Sequence, residues 1–271
     1  MTRKHAVGVA GAAVLVAVAL WATVEIGGGS SGAGSGSSPV LARPTSQPFD
    51  NAGVCPKATD PVLPADAGCV TAVATDLDGD GATDRFSVFA RIDGGGRPTS
   101  WEALAVIGGR PTPAVEVPTG QGVPYVYPRV LAAYDMNGDG RSEVFVKLSA
   151  ILYHGGGQQI LGLYDVVGGR VHPVDVRGQT DPLVFHVGGI GGYGDGGLCT
   201  RRDRHPVFLL RHIQRRAPLD WQSRERTYRW VGQGTLALTG LARGTQPGSV
   251  YINDPRVHAF YQLRCGPLLA P

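Results

Sequence analysis

Short apolar and β-branched runs alternate along most of the chain with breaks rich in glycine, proline and aspartate. The first set of runs is CVTAVAT, DRFSVFARI and WEALAVIGGRPTPAVEV, the last ending at residue 117. All are too short for an amphipathic helix, and their alternation reads as strands. Gly108-Gly109 divides the third run into the two arms of a hairpin. The same order returns 59 residues later as RVLAAY, EVFVKLS and ILGLYDVVGGRVHPVDV. A worn third copy comes next, with HPVFLLRHI at 205–213 as the strand after the loop and TYRWVGQGTLALTGL at 227–241 as the hairpin. LCTRRDR, residues 198–204, stands where a polar loop is expected.

The unit is therefore strand, loop, strand, connection, hairpin, repeated at about 68–117, 127–177 and 185–242. This predicts an all-β fold of tandem four-stranded antiparallel blade-like repeats, β-propeller-like in its local architecture. Three units are fewer than the four or more blades of a closed propeller. The array is then incomplete or open, or takes a further sheet from residues 49–66 and 246–265 or from another chain.

One run differs from the rest. Residues 6–26 are apolar except near the far end, at Thr23 and Glu25, and come after Arg3, Lys4 and His5. As a helix they reach roughly 31 Å, the thickness of a bilayer core. The pattern predicts an N-terminal apolar helix over 1–26, either a signal anchor or a signal peptide, with Ala17-Val18-Ala19 offering cleavage near Ala19. The basic residues ahead of the run favour export of the remainder of the chain, so the expected location is extracytoplasmic, anchored or secreted. Residues 27–48 form a linker rich in Gly, Ser and Pro, and 49–271 an exported β-repeat domain.

Composition agrees with many short elements: 41 glycines, 20 prolines and 17% charged residues leave little material for long helices. The net charge of +3 selects no partner. Four cysteines, Cys55, Cys69, Cys199 and Cys265, suit two disulfides in an oxidising compartment. Of three connectivities, Cys55–Cys69 and Cys199–Cys265 are favoured. No CxxC pair supports zinc or thioredoxin-type chemistry.

The densest chemistry lies in two loops, DLDGDGATD at 76–84 and DMNGDGRSE at 135–143. Carboxylates on alternate positions repel one another, by about 1 kcal/mol per adjacent pair even in bulk water. Oxygen-only ligands, with a glycine at the sixth position for a sharp turn, suit calcium. The expected ligands are Asp76, Asp78, Asp80 and Asp84 with the Ala82 carbonyl, and Asp135, Asn137, Asp139 and Glu143 with the Arg141 carbonyl. The first loop has four carboxylates and should bind more tightly. Neither loop is an EF-hand, because the twelfth residues are Ser87 and Val146 and both lie in strand-like runs.

At these positions the chain resembles the FG-GAP/VCBS repeat family of integrin-α-type propeller blades, over roughly residues 68–242. The resemblance implies a D-x-D/N-x-D-G-x-x-D/E calcium loop between two strands of each intact blade. The Phe-Gly and Gly-Ala-Pro signatures that name the family are absent from this chain.

Residues 201–229 carry nine arginines against Asp203, Asp220 and Glu225, with Trp221 and Tyr228 among them and Trp230 next in the chain. Arg201, Arg202, Arg215, Arg216, Arg224 and Arg226 are candidates for binding a polyanion. For an exported protein that means a cell-wall polymer or an anionic lipid surface, or another protein, rather than nucleic acid. No H-E-x-x-H, G-x-S-x-G or phosphate-loop motif is present. GGIGGYGDGG, residues 188–197, lacks the strand–helix context of a dinucleotide fingerprint and reads as a flexible surface loop. His154 and His186 read as satisfied or exposed side chains. The expected function is a non-enzymatic, calcium-stabilised extracytoplasmic binding or scaffold module. The alternative is an exported hydrolase acting on wall polymers, which a cleft with two carboxylates outside the calcium loops, or a His/Asp pair facing one another, would favour. Asp165, Asp175 and Asp181 are carboxylates outside the loops whose relative positions the sequence does not fix.

Overall fold

The computed structural model describes residues 58–119, 127–153, 156–247 and 255–265. The expected N-terminal helix, the linker, Cys55 and His154 lie outside the described residues. No helix among the described residues is long and apolar enough to cross a membrane.

The fold is all-β, and its pairings are predominantly antiparallel. The first sheet holds β1 (Ala67–Thr75), β2 (Asp84–Ile92), β3 (Pro98–Ile107), β4 (Arg110–Pro111) and β5 (Val115–Glu116). Its order is β1-β2-β3-β4, with β5 also on β3. The next elements are β6 (Arg129–Tyr134), β7 (Glu143–Tyr153), β8 (Gly156–Val167), β9 (Arg170–Pro173), β10 (Asp175–Val176), β11 (Val184–Ile190) and β12 (Tyr193–Arg202). After them come β13 (His205–Ala217), β14 (Asp220–Gly232), β15 (Thr235–Pro247), the helical turn α1 (Pro255–His258) and β16 (Leu263–Arg264). The second sheet runs β10-β15-β14-β13-β12-β11-β8-β7-β6, with β9 on β8 and β16 on β12. Its two ends do not pair with each other, so the described strands form no closed barrel.

Alternation on β7 explains why this sheet is buried on both sides. Val144, Val146 and Leu148 join Phe86, Val88 and Ala90 of β2 in a core between the two sheets. Phe145 points the other way, into a cluster with Phe185, Phe208, Tyr228 and Leu236. Successive strand residues face opposite ways, so one apolar run serves both cores. The β1 and β6 strands approach one another, and the Val130 N–H donates to Thr71 Oγ1 at 2.9 Å. These residues occupy equivalent places in the two repeats. The pairing of each strand shifts register next to that place, just before Thr71 on β1 (between Gly68 and Thr71) and just after Val130 on β6 (between Val130 and Ala132). Cys69, within the first shift, has φ of 52° and is disulfide-bonded.

Two expectations change beyond residue 184. The segment expected to carry a degenerate loop is strand up to Arg202, and Asp203 and Arg204, both at positive φ, make a two-residue turn into β13. Without carboxylates crowding the segment, its backbone pairs directly, Arg202 opposite His205. The third unit thus extends the second sheet as a meander of long strands. The glycine-rich stretch 188–197 is likewise not a loop, since it forms the β11–β12 hairpin turning at Gly191-Gly192. The C-terminal segment lies against Gly189, Gly194, Gly196 and Gly197. A Cβ on Gly189 or Gly194 would stand 2.2 Å from the Tyr261 ring, and one on Gly196 2.5 Å from the Phe260 carbonyl. Tyr261 packs with Ile213, Trp221 and Val257, and Cys199–Cys265 ties the tail to β12 as expected.

Candidate functional site

The two acidic loops lie side by side. Each joins an edge strand to its neighbour, β1 to β2 and β6 to β7, and the edge strands are adjacent. Ser142 N–H donates to the Asp76 carbonyl at 2.9 Å, and the buried Thr75 and Ser142 hydroxyls are 2.7 Å apart. The first loop is therefore bonded to the second through backbone and side chain.

Both loops use the same internal scaffold. Asp76 accepts from the Gly79 and Gly81 N–H groups at 2.7 and 2.8 Å; Asp135 accepts from Gly138 and Gly140 at 2.6 and 3.1 Å. Gly79, Gly81, Gly138 and Gly140 all have φ between 79° and 87°, a region that disfavours a side chain. The ninth-position carboxylates reach back under the loops, Asp84 to Leu77 N–H at 3.1 Å and Glu143 to Met136 N–H at 2.7 Å. Asp84 is 4% exposed and Glu143 1%. Burial raises the Asp84 carboxyl above its ordinary value and lifts that of Glu143 further. Asp78 and Asp80 add to the first rise, and Asp165, Asp139 and Asp135 to the second.

The loops differ in how the charge is answered. In the first, carboxylate oxygens of Asp76, Asp78 and Asp84 converge to within 4.8 Å of one another. Among the described residues, no arginine or amide side chain is bonded to any of the three. This donor set fits a hard cation. Asp80 stands apart from it and accepts the Ala82 N–H at 2.7 Å. In the second loop the cationic role is partly filled from within. The Arg141 guanidinium bonds Asp139 at 2.9 Å, and the Asn137 amide donates to Asp139 at 3.2 Å and to Glu143 at 2.8 Å. The Asp139 hydrogen bond is the main cause that raises the Arg141 pKa. Nearby Asp165, 2% exposed, accepts the Val166 and Gly234 N–H groups, and burial raises its pKa also. Asp175 pairs across β10 and β15 with Thr235, and Asp181 lies in an exposed turn, so neither joins Asp165 in a site.

The six candidate arginines do not form one patch. Arg202 sits opposite His205 near the 203–204 turn, whereas Arg215 is ten residues along β13, roughly 33 Å at strand rise. Arg202 is paired with Glu225, Arg215 lies over the Trp221 ring at 5.8 Å, and Arg216 bonds Gln222 at 3.0 Å. Arg201 is exposed. Arg224 and Arg226 come together on β14, beside a cleft of about 500 Å³.

That cleft holds residues to which no motif in the chain points. His212 Nδ1 lies 2.9 Å from Asp195 Oδ1, Gln158 donates to the other Asp195 oxygen, and Gln158 Oε1 is 3.2 Å from His186 Nδ1. A signal was nevertheless present in the register. A two-residue turn at 203–204 sets Arg202 opposite His205, and counting back from there places Asp195 opposite His212. His186 is satisfied, as expected, and its partner is the buried Gln158.

No protein-family model, curated protein or solved structure matches the chain.

Proposed function

We propose that this chain is a non-enzymatic, calcium-stabilised binding or scaffold module that works outside the cytoplasm. Its blade-like repeats are of the FG-GAP/VCBS kind. The observation that carries the reading is the convergence of Asp76, Asp78 and Asp84 in a loop bonded to its neighbour across two sheets. Three buried or crowded carboxylates without a counter-charge disfavour the closed loop, and a divalent ion there relieves their repulsion. Asp76, Asp78 and Asp84 would hold the ion, and Asp80 could join by turning its carboxylate inward. Asp135, Asn137, Asp139 and Glu143 make the weaker second site, since Arg141 and the Asn137 amide already answer part of its charge. The metal's contribution is rigidity where the sheets meet, without chemistry on a substrate.

The extracytoplasmic location rests on the apolar run at 6–26 and on cysteines used as disulfides. Membrane attachment through that run, and a cell-wall polymer, anionic lipid surface or protein as partner, belong to the same proposal. Calorimetric titration of the metal-stripped full-length chain with calcium is the test. Heat and a rise in melting temperature are expected, and the absence of both overturns the reading.

One observation favours the hydrolase alternative, namely the His212–Asp195 pair in a cleft. Among the cleft's described lining residues there is no serine, threonine or cysteine, so His212 would have to activate water. Turnover of wall polymer that is abolished by His212→Gln would replace the binding reading by this one.

A further inference from the structure

We propose that the cleft bordered by β8 and β11–β14 binds a small organic oxyanion, a phosphate or carboxylate carried on a body of about sugar size. This goes beyond the calcium reading and stands apart from it, because no residue of the cleft belongs to either acidic loop.

The first support is a polar chain built from the protein outward. Gln158, 4% exposed, is fixed by the Asp195 carboxylate on one side and by His186 on the other. An ionised carboxylate only accepts, so His212 must carry its proton on Nδ1, and the Gln158 oxygen makes the same demand of His186. Neither Nε2 atom has a hydrogen bond among the described residues. Two oriented rings therefore present an unused nitrogen, and the Asp195 charge is answered from both sides.

The second support is charge. Across the sheet Asp195 pairs with His212, and His212 with Arg224. Arg226 lies two residues along, on the same face of β14. Arg211 and Arg202 share Glu225, but Arg224 and Arg226 have no ion-pair or hydrogen-bond partner among the described residues. Two uncompensated arginines, whose backbone positions are about 7 Å apart along the strand, repel metal ions and offer planar forks that match carboxylate and phosphate oxygens.

The third support is shape. Val184, Phe185 and Leu210 supply apolar wall beside the polar chain, and about 500 Å³ lies within the range of small-molecule sites. An oxyanion on the arginines leaves the body of the ligand against that wall, within reach of the histidine nitrogens.

The test uses the full-length chain, with glucose 6-phosphate, glucuronate and uncharged glucose as probes. Titration is monitored by calorimetry and by the ring-proton signals of the histidines. Saturable binding of at least one anion, with movement of the His186 and His212 signals and none with glucose, is expected. The two anions separate phosphate from carboxylate recognition. In Arg224→Ala/Arg226→Ala, binding should weaken about tenfold or more, as loss of charge-assisted bonds implies. Its melting temperature should not change, because neither side chain is bonded among the described residues. Arg110→Ala, on the other sheet, serves as the control and should bind as the parent does. The proposal is overturned if neither anion moves the histidine signals, if glucose binds equally, or if the double variant keeps the parent affinity. A chain that fails to bind calcium yet binds the anion leaves this inference standing and removes only the other.

Discussion

Asp78→Ala separates a calcium ligand from a turn-former more sharply than any other change in the first loop. Asp76 holds two backbone N–H groups at 2.7 and 2.8 Å, so its removal weakens the turn with or without metal. Asp78 holds only the Asp80 N–H, at 3.2 Å and exposed to solvent. That bond contributes at most about 0.5 kcal/mol. Its carboxylate also stands within 4.8 Å of those of Asp76 and Asp84, each a repulsion of about 1 kcal/mol in water. In chelator, therefore, Asp78→Ala should leave the melting temperature unchanged or raise it. In calcium at ten times the dissociation constant, the parent gains about 1.4 kcal/mol that the variant forfeits. For a domain of this size that is a fall of about 3–6 °C. Scanning calorimetry of both proteins in calcium and in chelator reads the sign directly. Equal losses in the two buffers, or a parent whose melting temperature ignores calcium, refute the assignment of Asp78 as a ligand.

Removing the tail's covalent tie with Cys199→Ser/Cys265→Ser should cost about 4 kcal/mol by the chain-entropy estimate for a 66-residue loop, read from urea midpoints. A loss under about 1 kcal/mol would mean that packing of Tyr261 and Val257 alone secures the segment. Gly194→Ala drives a methyl into the Tyr261 ring and should destabilise by roughly 1–3 kcal/mol. The Tyr261 phenol, which burial pushes up to about 12, should then titrate lower, and an unmoved titration would show the ring undisturbed. Asp165 binds its proton more tightly folded than unfolded, because burial raises its pKa. Between those two values the native state holds more proton, so stability falls as pH rises and levels off above the folded value. Asp165→Asn should flatten that slope in chelator, and parallel slopes for the two proteins would contradict it.

The loops and the strands around them were legible because they rest on local rules. Glycines at the fourth and sixth positions, alternation in DRFSVFARI and EVFVKLS, and the Gly-Gly hairpins each act within a few residues. Longer pairings were not. Glycines 188–197 looked like slack chain because nothing nearby explains them, and for Gly189 and Gly194 the explanation is Tyr261, more than sixty residues away. Their setting between apolar strands was the available signal, since glycine inside a strand often marks close approach of another segment. The arginine cluster misled for a related reason. Residues ten apart on a long strand lie far apart in space, and only cross-strand register reveals that Arg224 stands opposite His212 and Arg226 opposite Leu210, while Arg211 stands opposite Glu225.

The register shifts in β1 and β6 also bear on how copies of this protein meet one another. An incoming chain can zip onto a border only where amides and carbonyls present themselves at even intervals. At Cys69 the backbone swings out of that rhythm, and at Val130 the amide is already committed to Thr71. Copies of the molecule thus find no straight hem to stitch along β1 and β6, and recognition at these two borders has to proceed through side chains.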